Sequence, residues 1–89
     1  MADEKYNGWE NYPTWCTNLW ITNDQGLYNY FREMKDHCSC VYDYSSVIAS
    51  FFAEDQPDLG ASLYADLLGY AFDKVNWYEI ASALWDYYD

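Results

Sequence analysis

Four groups of residues in this 89-residue chain have the type or spacing to do chemistry, and each requires a particular setting. The first is His37, Cys38 and Cys40, with Cys16 far away in sequence. Tetrahedral zinc is usually held by cysteine pairs two to four residues apart together with a second pair. Cys-x-Cys beside one histidine departs from that spacing, and a reactive thiolate needs cationic neighbours that this acidic stretch lacks. The second group is nucleophilic, and it is sparse. There is one histidine, no Gly-x-Ser-x-Gly elbow and no phosphate-cradling glycine loop. With fifteen Asp and Glu some pair always resembles an acid and a base, so none is singled out. The expectation is a protein with no catalytic residues, no metal and no cofactor, one that is not an enzyme.

The third group is the five tryptophans, Trp9, Trp15, Trp20, Trp77 and Trp85. A base-stacking platform comes with a cationic groove, which this chain cannot build. Trp15, Trp20 and Trp77 are therefore expected in the core, and Trp9 and Trp85, near the ends, at surface contacts. The fourth group is the carboxylates. On a helix over about 58–73, Asp58, Asp66 and Asp73 fall at offsets of eight and seven, close to one side of the cylinder. Phosphates along a DNA strand advance about 3.4 Å per nucleotide, so a rigid array of carboxylates can occupy a site built for a phosphate backbone. Glu54 and Asp55 before this helix, and Asp86 and Asp89 at the far end of the chain, extend the candidate partner-binding set. The competing reading is a solvated acidic face that serves solubility. The charge surplus argues against it, because self-repulsion costs stability that solubility alone does not require.

That surplus is −11, from four Lys and Arg against fifteen Asp and Glu, with a pI near 4.1. Lys5, Arg32, Lys35 and Lys74 are too few and too scattered to displace counterions from phosphate, which excludes direct nucleic-acid binding. Anionic membranes are disfavoured for the same reason. The field favours a basic protein partner and speeds encounter with one. No apolar run reaches the ~18 residues that span a bilayer. Met1–Lys5 has no signal-peptide character, and three cysteines cannot all pair within the chain. A reducing cytoplasm, that of a host bacterial cell, is the expected location.

These side chains must be positioned by helices. The composition is 52% hydrophobic and 22% aromatic, dense enough for a small core. A mean hydropathy of −0.46 fits a folded domain. Residues 1–8 read as a flexible polar lead. Asn11 or a neighbour caps a helix over about 12–22 with Pro13 in its first turn, and Tyr12, Cys16, Leu19 and Trp20 share a face. Leu27, Tyr30, Phe31, Met34 and Cys38 predict a second helix over about 24–37. Residues 37–42 read as a loop. Tyr44, Val47, Ile48, Phe51 and Phe52 predict a third helix over about 44–54, capped by Asp43 or Ser45. The fourth is the most apolar: Leu59, Leu63, Leu67, Ala71 and Val75 form a stripe that Tyr64, Leu68 and Phe72 widen, which predicts a central helix touching several neighbours. The fifth, over about 77–88, opens on a capping box in which Asn76 caps and Glu79 reaches back to the cap N–H. Ile80, Ala81, Leu84 and Tyr88 are its inner face. The expected fold is all-α, a compact single-domain bundle of four to five short helices.

Two strings carry a resemblance. Tyr6-Asn7-Gly8-Trp9-Glu10-Asn11-Tyr12-Pro13-Thr14-Trp15, continuing to Leu19-Trp20 and Asn23-Asp24, is one. Leu59-Gly60-Ala61-Ser62-Leu63-Tyr64-Ala65-Asp66-Leu67-Leu68, running on to Val75-Asn76-Trp77-Tyr78-Glu79-Ile80-Ala81, is the other. Over about two thirds of its length the chain resembles a family of short, acidic, largely uncharacterised proteins of bacteriophages, plasmids and other mobile elements. The resemblance supplies no activity and no catalytic residues. It implies a mobile-element setting, in which an inhibitor of host defence is a natural role. The functional expectation is an acidic phage-type inhibitor, a DNA mimic that occupies the nucleic-acid-binding surface of a host restriction, CRISPR or other DNA-engaging protein. The alternative is a helical adaptor or self-assembling module, a homodimer included, whose exposed Tyr and Trp make the interface.

Overall fold

A computed structural model describes residues 5–88; Met1–Glu4 and Asp89 lie outside the described residues. Five helices follow in order: α1 (Tyr12–Asn23), α2 (Gln25–Lys35), α3 (Val41–Asp55), α4 (Leu63–Lys74) and α5 (Trp77–Tyr87). The all-α expectation holds. No helix among the described residues is long and apolar enough to cross a membrane.

The closest pairing is α3 against α5. Tyr44 and Ile48 from α3 meet Ile80, Ala81 and Leu84 from α5 and Tyr88 just beyond it, and Ile21 and Phe31 close the core. Fully burying such side chains contributes about 1.5–3 kcal/mol each. The two buried tyrosines bring hydroxyls inside, and both are satisfied. Tyr44 donates to the Phe31 carbonyl at 2.7 Å, and Tyr88 to the Tyr28 carbonyl at 3.1 Å. Lys35 extends from the end of α2 to donate to the Trp85 and Tyr88 carbonyls at 2.5 and 2.6 Å, with its ammonium 5.1 Å from the Trp85 ring. One of the four cations thus closes the C-terminal end of α5, where carbonyls lack helical partners.

A polar clasp joins the start of α1 to the start of α5. Asn11 caps α1 by accepting the Thr14 N–H at 2.9 Å and the Thr14 hydroxyl at 2.7 Å, while its own amide donates to the Lys74 carbonyl at 2.6 Å. Thr14, fully buried, accepts the Asn76 N–H at 2.9 Å. Asn76 caps α5 by accepting the Glu79 N–H at 3.0 Å and donates its amide to Glu10 at 2.9 Å. Glu79 in turn accepts the Glu10 N–H at 3.0 Å. The expected capping box is therefore half intramolecular to α5. Asn76 caps as predicted, but Glu79 turns to Glu10, because Thr14 already holds the Asn76 N–H.

Residues 6–9 form a tight turn, in which Tyr6 and Trp9 exchange two 2.8 Å hydrogen bonds across Asn7-Gly8, both at positive φ. Asn-Gly is the pair that a tight two-residue turn of this hand selects. The Tyr6 ring lies 4.9 Å from Trp15 and 5.1 Å from Tyr12. Several sequence expectations about helix bounds and caps are corrected. Helix α3 starts at Val41, not near 44; Cys40 occupies its cap position without a side-chain bond, and Asp43 accepts from Ser39 instead. Helix α4 starts at Leu63, not near 58. Asp58 accepts the Gly60 N–H at 3.0 Å, Gly60 takes φ +62°, and Ser62 caps through the Ala65 N–H at 3.2 Å. Local side-chain bonds of this kind divert a backbone from the helix.

Two stability predictions follow from this packing. Thr14→Val keeps the shape but strips the Asn76 N–H of its acceptor, so urea denaturation should show a loss of about 1–3 kcal/mol. Burial, then the neighbouring Tyr28 and Tyr87, push the Tyr88 hydroxyl from its ordinary 10 up to about 12. Burial also raises Tyr44. The fold therefore holds protons that the unfolded chain releases. Stability should be intact below pH 10 and fall as pH rises toward 12. Tyr88→Phe should flatten that part of a urea-midpoint profile against pH.

Candidate protein-binding face

Helix α4 is positioned by its own two ends. Ser62 starts it, and Lys74 in its last turn suits the negative end of the helix dipole, while the Lys74 carbonyl is held by Asn11. Its main neighbour is α1. Ala65, Leu68, Ala71 and Phe72 turn inward and are half-buried. None of its twelve residues is fully buried. The expectation of a central helix is overturned: α4 lies at the edge of the bundle.

The consequence is an apolar face turned to solvent. Leu63 is 66% exposed, Tyr64 70%, Leu67 58% and Tyr70 65%. At about 100° per residue, Leu63, Leu67 and Tyr70 make one outward stripe, opposite the Leu68–Phe72 side. A helix with so broad an apolar surface is ordinarily buried against several neighbours; this one is covered on one side only. Helix α1 repeats the inversion. Its Tyr12, Cys16, Leu19 and Trp20 stripe, expected to face the core, is turned away from it: Cys16 is half-buried beside α4, Tyr12 and Leu19 are exposed, and Trp20 is 64% exposed. Thr14 and Ile21 take the buried places instead. The reason is the clasp, because Thr14 must face Asn76, and on a rigid helix that fixes which side looks out. The tryptophan assignments change with it. Trp9, Trp77 and Trp85 pack against the core, Trp15 is half-buried, and Trp20 is outside.

Between α1 and α4 runs an open apolar crease of about 220 Å³, lined by Tyr12, Pro13, Cys16, Leu68, Ala71 and Phe72 among others. A second hollow of about 180 Å³ lies between Trp20, Phe52, Phe72 and Trp77. These gaps show that α4 is lightly seated, since well-packed interiors leave few voids of this size.

The carboxylates divide into two kinds. Asp24 caps α2 through the Leu27 N–H, and Glu10, Asp43, Asp58 and Glu79 accept the hydrogen bonds given above, so each holds the chain in place. Glu33, Asp36, Glu54, Asp55, Asp66, Asp73 and Asp86 are exposed, and no hydrogen bond among the described residues engages their side chains. Asp66 and Asp73 lie together along one flank of the α4 stripe. Asp58 is separated from them, in the turn before the helix and committed to Gly60. Glu54 and Asp55 end α3, where they edge a shallow groove of about 580 Å³ with Tyr30 and Phe51. Asp86 lies in the last turn of α5. Asp89 is outside the described residues. The expected row of Asp58, Asp66 and Asp73 therefore reduces to a pair on α4, with the rest at other corners. At Cys38, burial and then Asp43 and Cys40 raise the thiol pKa, the direction opposite to activation. Among the described residues no three His, Cys, Asp or Glu side chains gather as a metal site.

Fold and face together define a small five-helix α-protein that keeps an acid-flanked apolar helix face outside its core. The chain belongs to DUF7249, a family of unknown function whose model matches residues 2–88. No curated protein and no solved structure matches it.

The exposure of the stripe has a measurable consequence. Leu63→Gln with Leu67→Gln should leave the unfolding free energy from urea denaturation within about 0.5 kcal/mol of the parent, because neither side chain supports the core. Glu54→Gln with Asp55→Asn removes two negative charges from the negative end of α3. That variant should melt higher than the parent at low ionic strength, and the gain should shrink as salt is added.

Proposed function

We propose that this protein is a non-enzymatic binding protein that engages another protein through the outward face of α4, acting by occupancy and without turnover. The observation that carries the reading is a helix with no buried residue and with Leu63, Leu67 and Tyr70 displayed together. Contiguous exposed apolar surface rimmed by polar groups marks interaction sites in soluble proteins. Aromatic side chains such as Tyr64, Tyr70 and Trp20 are the type that anchors interfaces. The net charge of −11 selects a basic partner and guides the encounter. In the mobile-element setting implied by the resemblance, a host DNA-engaging defence protein fits that description, and the role would be inhibition.

A second reading, mimicry of nucleic-acid phosphates, is favoured by one observation. Glu54, Asp55, Asp66, Asp73 and Asp86 are free of internal hydrogen bonds, and four of them, Glu54, Asp55, Asp73 and Asp86, stand at helix ends whose dipole repels them. A polar DNA-binding groove, however, is a poor match for a Leu-Leu-Tyr stripe lying between the α4 carboxylates and the α1 crease.

A photo-crosslinking residue at position 67, in a host bacterial cell, tests the primary reading. It should yield a covalent adduct with one foreign protein, and the same probe at Glu33, on the exposed side of α2, should not. Capture of that protein by the parent chain should survive about 0.5 M salt, where charges more than ~4 Å apart are screened, and should be lost with Leu63→Gln and Leu67→Gln. Capture that is lost to salt but indifferent to the leucine changes would instead establish mimicry.

A further inference from the structure

We infer that the outward face of α4 takes an amphipathic helix of a basic partner, with that helix's apolar seam on Leu63, Leu67 and Tyr70 and its Lys or Arg flank beside Asp66 and Asp73. This rests on the reading of α4 as a protein-binding face and specifies what covers it. Leu63, Leu67, Tyr70 and Lys74 are spaced four, three and four residues apart, the alternation by which one helix sets side chains into the holes of another. Asp66 and Asp73 each directly precede a seam residue. They stand at the flank position that forms charge pairs across such a seam. The opposite flank, Tyr64 and Ala71, carries no charge. The seam is thus acidic along one edge and neutral along the other.

A second copy of this chain does not meet that requirement. Packed antiparallel, two α4 helices set the Asp66–Asp73 edge of one against the same edge of the other, four carboxylates without a cation. Packed parallel, Asp66 faces Ala71 and stays unpaired. Lys74 offers no relief, since its ammonium lies 5.3 Å from the centre of the Tyr70 ring in its own helix. Each copy also brings −11. Cations must therefore come from a different chain. Helix α4 is short, about 18 Å at 1.5 Å per residue, so three seam residues give a modest contact. The 220 Å³ crease beside Ala71 supplies the rest, an apolar slot able to receive one large side chain from the partner.

Two synthetic helical peptides provide the probe, with one Leu seam in common and either Lys or Glu along the flank. Each is titrated into the full chain and followed by calorimetry and tryptophan fluorescence. The Lys peptide should bind one to one, about fivefold or more tighter than the Glu peptide at low salt, as two exposed charge pairs allow. Asp66→Asn with Asp73→Asn should erase most of that preference, and Leu67→Gln should weaken both peptides while the urea midpoint stays unchanged. Equal affinity for the two peptides, or a preference that survives the Asn changes, overturns the inference. So does a dimer by sedimentation that Leu67→Gln dissolves, which would make a second copy the occupant. If neither peptide binds while the position 67 adduct with a foreign protein still forms, this occupant is wrong and the protein-binding reading stands. If the adduct also fails, the reading itself falls.

Discussion

Four hydrogen bonds hold the segment around Glu10–Thr14 to the segment around Lys74–Glu79, and the orientation of everything between them depends on those bonds. They join residues more than sixty positions apart, at the first turns of α1 and α5. Each side chain there has two duties. Asn11 caps α1 and holds the last carbonyl of α4; Asn76 caps α5 and holds Glu10; Thr14 accepts from one and donates to the other. Helix ends carry backbone groups without helical partners, and a buried end left unsatisfied is costly. Here the unsatisfied groups of three helices are made to serve one another. That is why Asn-Tyr-Pro-Thr and Val-Asn-Trp-Tyr-Glu are so particular in residue type.

The same constraint explains the surface. With Thr14 held inward, α1 cannot turn its Tyr12–Trp20 stripe to the core, and α4, tied through the Lys74 carbonyl, can lay only its Leu68–Phe72 side against α1. The core is then completed without α4, by α3 and α5 around Tyr44, Ile48, Ile80 and Leu84. Much of the apolar surface that the composition promises for packing ends up outside. Together with the free carboxylates, it makes a face whose parts suit a partner better than they suit solvent.

Charge plays two parts. Carboxylates near helix starts, Asp24 and Glu79 among them, serve the fold. Those at helix ends do nothing for it, Asp66 lends only its charge to the first turn of α4, and two of the four cations are turned to carbonyls or aromatic rings, Lys35 on α5 and Lys74 over Tyr70. The surplus is therefore displayed and not neutralised, which is what a long-range preference for a basic surface requires.

The sequence by itself determined what is local: five helices, caps at Asn11 and Asn76, and inner faces for α2, α3 and α5 whose centres at Phe31, Tyr44, Ile48, Ile80 and Leu84 are all buried. Hydrophobic periodicity and capping chemistry act within a few residues and can be read within a few residues. Where it failed, at α1 and α4, the apolar stripe was real but its direction was not encoded in its spacing. Periodicity says that a helix has an apolar face; it does not say whether that face meets the core or another molecule. Only the tertiary structure decided that. A buried threonine hydroxyl bonded across the chain outweighed the apolar stripe of α1, and α4, joined beside it, was left with its leucines outside. The acidic row dissolved for a related reason, because Asp58 found a nearer backbone donor in Gly60 than a place on the helix.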